Sequence, residues 1–380
     1  MKKKVCFVAV IEMSIKAFLI DHMRILQEMF DLYVIVNTDN CLFLESFGIK
    51  ATVIPVRIER KISLLDDIKA LFRLYKIFKK EKFDIIHSIM PKSGFLSMLA
   101  GFFAKVHIRV HTFTGQVWKN KRGVKRFIFK TMDKILAMCA TYVLVDSLSQ
   151  REFLLDEGVV NHEKSSVIGN GSMCGVDETR FYFDEEARNS IRENLDVASD
   201  DVVFFFLGRM NKDKGVLDLA MAFISLHSRF NNVHLLLVGP DEENVKEEIL
   251  KMCSQCSNKV HIMGYAEKPE KYMSAADVFC LPSYREGFGL VIIEAAAVGL
   301  PSIGSKIYGI TDTISDGITG FFFESGDAKD LMKKMARFVD EPSLIKVMGE
   351  KARVTALEKY SKEKITTAMV DYYKTLERSL

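Results

Sequence analysis

The stretch Ser283-Tyr-Arg-Glu-Gly-Phe-Gly-Leu-Val-Ile-Ile-Glu294 follows an apolar run, residues 276–282, and predicts a strand, a glycine-rich loop and a helix in succession. The two glycines allow a tight turn, and the N-terminus of the helix presents unpaired N–H groups and the positive end of its dipole. One glutamate lies in the loop and another in the early helix, so both carboxylates can border this anion-binding spot. Carboxylates accept hydrogen bonds from hydroxyls, and the pattern therefore indicates a ligand with phosphate and sugar groups.

The composition is that of a globular protein with more than one domain. The chain has 380 residues, of which 48% are hydrophobic, so it can bury two or three cores and is not a disordered protein. A net charge of +3 does not demand a nucleic-acid partner. The seven cysteines are scattered and odd in number, which is typical of buried thiols in a reducing cytoplasm. The longest apolar stretch, residues 95–104, is too short to span a membrane.

Short apolar runs alternate with helix-length segments in two series. Strands separated by helices and apolar throughout predict an α/β fold with doubly wound parallel sheets. The first series comprises residues 5–10, 33–36, 52–55, 84–89, 108–111, 142–146 and 166–168, and the second comprises residues 202–207, 233–238, 260–263, 278–281 and 301–303. We therefore predict two Rossmann-like domains in tandem.

The clearest cluster of turn residues, Gly169–Asp177, places the domain boundary. We predict an N-terminal domain over residues 1–170 and a C-terminal domain over residues 171–360. Residues 361–380 show helical periodicity and are expected to pack back on the N-terminal domain.

A second chemically informative loop, Gly208-Arg209-Met-Asn-Lys-Asp-Lys214-Gly215, follows the strand predicted at residues 202–207. Arginine offers a planar fork and lysine a compact charge, which together suit a diphosphate, although a solvated basic loop fits this segment alone equally well. Both informative loops end strands of the same predicted domain, so we expect them to converge on one nucleotide-sugar site. The first strand is followed by neither a dinucleotide fingerprint nor a Walker loop, which disfavours NAD and ATP.

These two loops resemble the signature of the retaining GT-B glycosyltransferases of family 4, and the resemblance extends to residues 317–321 and 326–327. It implies two Rossmann-like domains that face each other across a cleft, an acceptor-binding domain over residues 1–170 and a nucleotide-sugar donor-binding domain over residues 171–360. It also implies that Arg209 and Lys214 contact the donor diphosphate and that Glu294 holds the ribose. The donor sugar and β-phosphate are then held by Glu286 and the segment from Gly287 through Phe288 and Gly289 to Leu290, with Gly208 nearby.

The resemblance assigns further residues to the N-terminal domain. His111 follows the strand predicted at residues 108–111, as does the histidine that reaches the donor sugar in similar enzymes. The expected catalytic residues are thus Glu286, Arg209, Lys214 and His111, with Thr112, Thr114 and Gly115 expected at the acceptor side. Many family members carry paired glycines after the first strand where this chain has residues 12–16, and no contact is assigned there.

The mechanism that the resemblance implies is front-side displacement with retention of configuration. Its main requirement is to neutralise charge on the leaving diphosphate, a task for Arg209, Lys214 and the helix dipole. The sequence contains no Asp-x-Asp motif, so we expect neither a metal nor any other cofactor.

Two segments interleave basic and apolar residues in the first half of the chain, residues 71–80 and 119–130. Such faces suit an anionic membrane surface, although each segment alone also fits an ordinary amphipathic helix. The chain is similar to bacterial enzymes that extend undecaprenyl-diphosphate-linked sugars in O-antigen or capsule biosynthesis, often with an N-acetylhexosamine from a UDP donor in α linkage. We therefore expect a cytoplasmic protein that is peripheral on the inner face of the cytoplasmic membrane, with a lipid-linked acceptor.

Two alternatives remain open at this stage. One is a soluble GT-B glycosyltransferase acting on a free sugar or small molecule, and the other is a non-catalytic protein that binds nucleotide-sugars. A non-hydrolysing UDP-sugar epimerase shares the fold, but the two loops above do not belong to it. The sequence leaves the base, the donor sugar and the linkage position open.

Overall fold

The computed structural model describes residues 2–59 and 63–380 and contains two compact units. The first unit reaches Gly175 and also includes Lys362–Leu380, while the second is Val176–Ser361. The boundary thus falls after Gly175, whereas the sequence placed it after residue 170. The intervening residues stay with the first unit because Met173 packs in its core and accepts a hydrogen bond from His22 Nε2 at 2.6 Å.

Each unit contains one parallel β-sheet. The strands of the first are β1 (Lys3–Ile11), β2 (Phe30–Asn37), β3 (Ala51–Pro55), β4 (Ile85–Ile89), β5 (Ile108–Phe113), β6 (Tyr142–Val145) and β7 (Ser165–Ser166), in the order β3-β2-β1-β4-β5-β6-β7. The strands of the second are β8 (Val202–Leu207), β9 (Val233–Val238), β10 (Val260–Met263), β11 (Val278–Leu281), β12 (Ser302–Ser305) and β13 (Gly320–Phe323), in the order β10-β9-β8-β11-β12-β13. The predicted α/β class with two doubly wound parallel sheets is confirmed.

Helices follow most strands, as parallel pairing requires. They are α1 (Glu12–Phe18), α2 (Ile20–Met29), α3 (Leu64–Glu81), α4 (Pro91–Ala104), α5 (Gly123–Cys139), α6 (Leu148–Asp156), α7 (Glu185–Asn194), α8 (Val216–His227), α9 (Val245–Met252), α10 (Pro269–Ala275), α11 (Leu290–Val298), α12 (Ile310–Thr313), α13 (Ala328–Asp340), α14 (Ser343–Tyr360) and α15 (Lys362–Arg378). Short 3₁₀ turns occupy Glu45–Phe47, Lys212–Lys214 and Ser254–Lys259.

The first sheet is covered on both faces, which explains why its strands are apolar throughout. Side chains alternate along β1, so that Val5 and Phe7 face one core with α1, α2 and α15, while Cys6 and Val8 face another with α3 to α6. Helix α15 contributes the fully buried Tyr373, whose hydroxyl forms a hydrogen bond with Nδ1 of His87 at 2.6 Å. This C-terminal helix therefore completes the core of the first unit.

The second sheet changes its direction of winding between β8 and β11, which are neighbours in the sheet although far apart in sequence. Ligands of open α/β sheets bind beyond the carboxyl ends of the strands at such a switch point. Both informative loops of the sequence begin there. The last strand, β13, lay outside the sequence prediction and is led by Gly320, where a Cβ atom would lie 1.9 Å from the Ser302 carbonyl oxygen.

Candidate functional site

Two loops meet at the switch point of the second unit. Loop A, residues 208–215, follows β8, and loop B, residues 282–289, follows β11. Gly215 has φ = +66°, and its Cα lies so close to loop B that an added Cβ would be 2.1 Å from the carbonyl oxygen of Pro282. The amide of Tyr284 also donates to the carbonyl oxygen of Asp213 at 2.9 Å. The backbones of the two loops are thus fixed against each other.

The central contact of the site joins Lys214 of loop A to Glu286 of loop B. Lys214 Nζ donates to Glu286 Oε1 at 2.5 Å, and the hydroxyl of Ser283 donates to the same oxygen at 2.7 Å. Ser283 is fully buried, whereas the Lys214 and Glu286 side chains keep 20% and 14% of their surface exposed. With Oε1 occupied by two donors, Oε2 is the oxygen that Glu286 can offer to a ligand hydroxyl.

The second cation of loop A, Arg209, is held by a carboxylate that the sequence analysis did not single out. Its Nη1 donates to Oε2 of Glu242 at 2.7 Å, and Nδ2 of Asn211 donates to the same oxygen at 3.2 Å. Glu242 belongs to the acidic segment Asp241–Glu243, which follows β9, the other neighbour of β8. Acidic residues directly after that strand were the available sequence signal.

The N-terminus of α11 opens directly from loop B. Gly289 is its N-cap with φ = +79°, and no described side chain caps the helix. The Ile292 amide donates to the Gly289 carbonyl oxygen at 2.8 Å, so the amides of Leu290 and Val291 are the ones left for an acceptor. Gly309 packs on this loop with φ = +84°, and a Cβ there would lie 2.7 Å from the Gly287 carbonyl oxygen. Phe288 is buried edge-on against Tyr360, with ring centroids 5.2 Å apart. These contacts fix the backbone that leads into α11 at the switch point.

Glu294 lies one turn into α11 and is electrostatically unusual. Removal from water raises the pKa of its carboxyl to about 8, with nearby Glu270 adding to the rise and Arg180 opposing it. Among the residues that the structure describes, none forms a hydrogen bond or an ion pair with this carboxylate. The described contacts thus bring Lys214 and Glu286 together but leave Glu294 open to a ligand.

The structure corrects the placement of His111 in the first unit. β5 continues to Phe113, so His111 lies within the strand rather than after it. Its imidazole is fully buried, Nδ1 forms a hydrogen bond with the Ser88 hydroxyl at 2.9 Å, and the ring fills the space opposite Gly94 of α4. Burial lowers the pKa of His111 to about 3, so the ring is neutral. In this conformation His111 exposes no surface to a substrate.

The three acceptor-side candidates, Thr112, Thr114 and Gly115, differ in burial and in their position relative to β5. Thr112 is buried with its hydroxyl 2.7 Å from His87 Nε2, while Thr114 and Gly115 come after the end of β5. Thr114 is partly exposed and Gly115 has φ = +110°. Of these three residues, Thr114 and Gly115 hold the strand-end position that a ligand-binding loop requires.

A buried polar cluster lies at the carboxyl ends of β5 and β6. Gln150 accepts a hydrogen bond from the Asp146 amide at 3.1 Å and donates to Oε1 of Gln116 at 3.0 Å. Burial raises the pKa of the Asp146 carboxyl to about 8, so this group is largely protonated at neutral pH.

Helices α3 and α5 expose large apolar side chains. On α3, Leu64, Leu65 and Phe72 are 76%, 73% and 61% exposed, and on α5, Val124 and Phe127 are 73% and 71% exposed. Both helices pack against α4, so they lie on the same side of the first sheet. None of the helices in the described ranges 2–59 and 63–380 is both long enough and apolar enough to span a bilayer.

The basic residues of the α5 segment fall into two groups. Arg126 and Lys130 both pair with Glu157 and lie over the ring of Trp118, although 38% of the Arg126 side chain stays exposed. Lys121, Arg122 and Lys125 precede or begin the helix beside the exposed apolar residues and form no ion pair with any described residue. The basic residues that face water are therefore fewer than the sequence pattern implied.

Comparisons with known proteins agree with this architecture. Residues 18–172 match the family model described as Glycosyltransferase Family 4, and residues 187–355 match the model described as Glycosyl transferases group 1. The chain is 32% identical to the capsular polysaccharide biosynthesis glycosyltransferase CapM of Staphylococcus aureus, over 86% of this chain and 85% of that one.

A second relative and one solved structure complete the comparison. The chain is 28% identical to the UDP-Gal:alpha-D-GlcNAc-diphosphoundecaprenol alpha-1,3-galactosyltransferase of Escherichia coli, over 86% of this chain and 84% of that one. The crystal structure of Anabaena Alr3699/HepE in complex with UDP and glucose superimposes with a TM-score of 0.80 at 18% identity, covering 98% of this chain and 100% of that one. This likeness shows a GT-B fold.

Proposed function

We propose, from the premise that the chain belongs to the family 4 (group 1) glycosyltransferases, that it transfers a sugar with retention of configuration from a UDP-sugar to a lipid-linked saccharide. The observation that carries the proposal is the pairing of Lys214 with Glu286 where β8 and β11 meet. A cation and a hydroxyl-binding carboxylate then stand together at the N-terminus of a helix, which suits the two halves of a nucleotide-sugar.

In the proposed complex, Arg209, Lys214 and the N-terminus of α11 bind the diphosphate. Oε2 of Glu286 accepts a hydrogen bond from a hydroxyl of the transferred sugar, because Oε1 is already occupied. Glu294 accepts from the ribose hydroxyls. The UDP bound to the Anabaena protein of the same fold supports the choice of uridine.

The proposed reaction is a front-side displacement. The bond from the anomeric carbon to the diphosphate oxygen breaks while the bond to the acceptor oxygen forms on the same face. The acceptor hydroxyl gives its proton to the departing diphosphate, whose added charge the two cations and the helix dipole stabilise. The α linkage and the diphosphoundecaprenol acceptor in the name of the Escherichia coli relative support the same product class here. These cations provide positive charge without a metal, so we propose metal independence.

The donor proposal is tested by measuring transfer and hydrolysis with UDP-, GDP- and dTDP-sugars, including UDP-N-acetylglucosamine and UDP-N-acetylgalactosamine, because we propose an N-acetylhexosamine. Arg209→Ala or Glu286→Ala should lower the rate about 10²-fold or more, and the product should be the α anomer by NMR. Undiminished turnover of Glu286→Ala would refute the role proposed for Glu286, and binding of UDP without turnover of any of these donors by the wild-type protein would favour a non-catalytic binding protein. Loss of activity with EDTA and recovery with manganese would refute metal independence.

The acceptor proposal includes a membrane partner, in which α3 and α5 place exposed apolar side chains in an anionic lipid surface on the cytoplasmic side. The support is the exposed Val124 and Phe127 next to three basic residues, of which Arg122 and Lys125 are exposed and Lys121 is partly exposed. Each basic residue near an anionic surface contributes about 1 kcal/mol, so the triple change to glutamine should weaken vesicle binding by about 10²-fold.

The matched control removes the same charge from α14 of the second unit, where Lys346, Lys351 and Arg353 are exposed. We would measure co-sedimentation with phosphatidylglycerol vesicles at low salt. Equal loss of binding in both triple variants would show that the interaction depends only on the net charge of the protein. No loss in the α5 variant would refute the proposal that α5 contacts the membrane. Full activity on a free saccharide without lipid would favour a soluble enzyme.

A further inference from the structure

Backbone hydrogen bonds hold Glu242 beside Arg209. The amide of Met210 donates to the carbonyl oxygen of Pro240 at 2.8 Å, and the amide of Glu242 donates back to the carbonyl oxygen of Met210 at 3.1 Å. These two bonds form a short parallel bridge between loop A and the segment after β9. The bridge sets the backbone position of Glu242 beside loop A.

Asn211 links this carboxylate to the rest of loop A. Its Nδ2 donates to Glu242, while its Oδ1 accepts from the amide of Lys214 at 3.1 Å and caps the 3₁₀ turn Lys212–Lys214. Asn211 is buried, so its orientation is fixed by these two contacts. The position of the Glu242 carboxylate is therefore connected, through Asn211, to the turn that carries Lys214.

Arg209 needs such support because its side chain is long and 47% exposed. A free arginine side chain in that position samples many rotamers, and a ligand must select one of them. Glu242 uses one of the five N–H donors of the guanidinium, and the described residues use none of the other four. The guanidinium is thus oriented while most of its donors stay available.

We propose that Glu242 is a positioning residue for the donor diphosphate, holding Arg209 by Nη1 so that its remaining N–H donors meet the phosphate oxygens. The inference rests on the proposed function, since it presumes that Arg209 binds the diphosphate. The opposite effect is competition, in which Glu242 must release Arg209 before the donor can bind. The two effects predict changes of opposite sign in donor affinity.

The test measures the Kd of UDP by calorimetry and the steady-state KM of the UDP-sugar. Loosening one side chain that a ligand must then order costs about three- to tenfold in affinity, so Glu242→Ala should raise both constants by that factor. The KM of the acceptor should stay close to the wild-type value, while the thermal midpoint of Glu242→Ala should fall by about 2–10 °C because the buried Asn211 amide loses its acceptor. Glu242→Gln retains an oxygen that can accept from Nη1 and should recover most of the loss.

Glu243→Ala is the matched control, because Glu243 accepts from the backbone amide of Lys212 at 2.9 Å and does not contact Arg209. In an Arg209→Ala background, Glu242→Ala should cause little further change in the Kd of UDP, as a double-mutant cycle would show. Tighter UDP binding by Glu242→Ala and Glu242→Gln would overturn the inference in favour of competition. Unchanged binding would overturn it too, while unchanged binding by Arg209→Ala would instead refute the proposed function.

Discussion

Gly215→Ala tests whether the contact between loops A and B holds the site together. Gly215 has φ = +66°, and the new Cβ would lie 2.1 Å from the carbonyl oxygen and 2.9 Å from the carbonyl carbon of Pro282. Both atoms belong to the backbone at the start of loop B, so no side-chain rotation can relieve the overlap. Either loop A or loop B must move.

The expected cost has two parts. A non-glycine residue in the left-handed region costs about 1–2 kcal/mol. Forcing extra volume into a packed backbone contact costs about 1–3 kcal/mol more. We therefore expect Gly215→Ala to lower the free energy of unfolding of the second unit by about 2–5 kcal/mol, which corresponds to about 5–15 °C in Tm for a unit of this size.

Gly317→Ala is the matched control, because Gly317 has φ = +72° but nothing within 4 Å of the added Cβ. It should cost only the backbone part, about 1–2 kcal/mol. Far-UV circular dichroism in urea would measure both variants, and fluorescence of Trp118, the single tryptophan, would follow the first unit separately. Equal destabilisation by the two variants would refute the proposed clash, as would a Gly215→Ala enzyme with wild-type donor KM.

Three further predictions concern charged groups. Because the pKa of Asp146 is raised to about 8, its native carboxyl holds a proton between about pH 4 and 8 that the unfolded carboxyl has lost, and this group should lower stability as pH rises by up to about 1.4 kcal/mol per pH unit. Asp146→Asn should make the slope shallower by that amount in urea titrations at pH 5 and 8, while Glu294 contributes a similar slope of its own; parallel slopes of variant and wild type would contradict the prediction. The pKa of Glu294 is also raised to about 8, so its carboxylate forms above that pH and the donor KM should fall several-fold between about pH 6.5 and 9. Glu294→Gln should abolish this pH dependence of the KM, and an unaltered pH profile in the variant would show that another group causes it. Asp277 pairs with Arg188 at 2.7 Å and with the buried Arg192 at 3.1 Å, so Asp277→Ala should destabilise the second unit by about 3–5 kcal/mol; a urea-measured loss below about 1 kcal/mol would show that the arginines find other partners.

The sheets were predictable because strands of a parallel sheet that is covered on both faces are apolar at nearly every position. β8, Val202–Leu207, is apolar at each position, and its bounds agree with the prediction. β13 was not predicted because it is short and begins at Gly320. Its position depends on a close approach of Gly320 to Ser302, which the sequence does not show. The same limit explains His111, since the apolar Phe113 extends β5 past the expected end and draws the histidine into the core.

The candidate site was predictable as a set of loops but not as a set of contacts. Lys214 and Glu286 could be expected near each other because their loops follow strands of one domain, and the structure places them in direct contact. That Glu242 would hold Arg209 depends on which strand neighbours β8, and no local pattern encodes this. Likewise, spacing alone does not show that Arg126 forms an ion pair while its neighbour Lys125 does not, because the partner, Glu157, lies outside the helix α5.

The pairing of each cation with its own carboxylate has a consequence for selectivity. Arg209 with Glu242 and Lys214 with Glu286 leave loop A with little excess charge, so the site does not attract every polyanion at long range. Recognition of a diphosphate must then come from short hydrogen bonds with defined directions, which the oriented guanidinium and the helix N-terminus can provide. In the proposed complex, Glu286 binds Lys214 through Oε1 and the sugar through Oε2, so a shift of either the phosphate or the sugar would be transmitted to the other through one carboxylate. The site can therefore require both halves of the donor at once, and a substitution at Lys214 should alter sugar selection as well as phosphate binding.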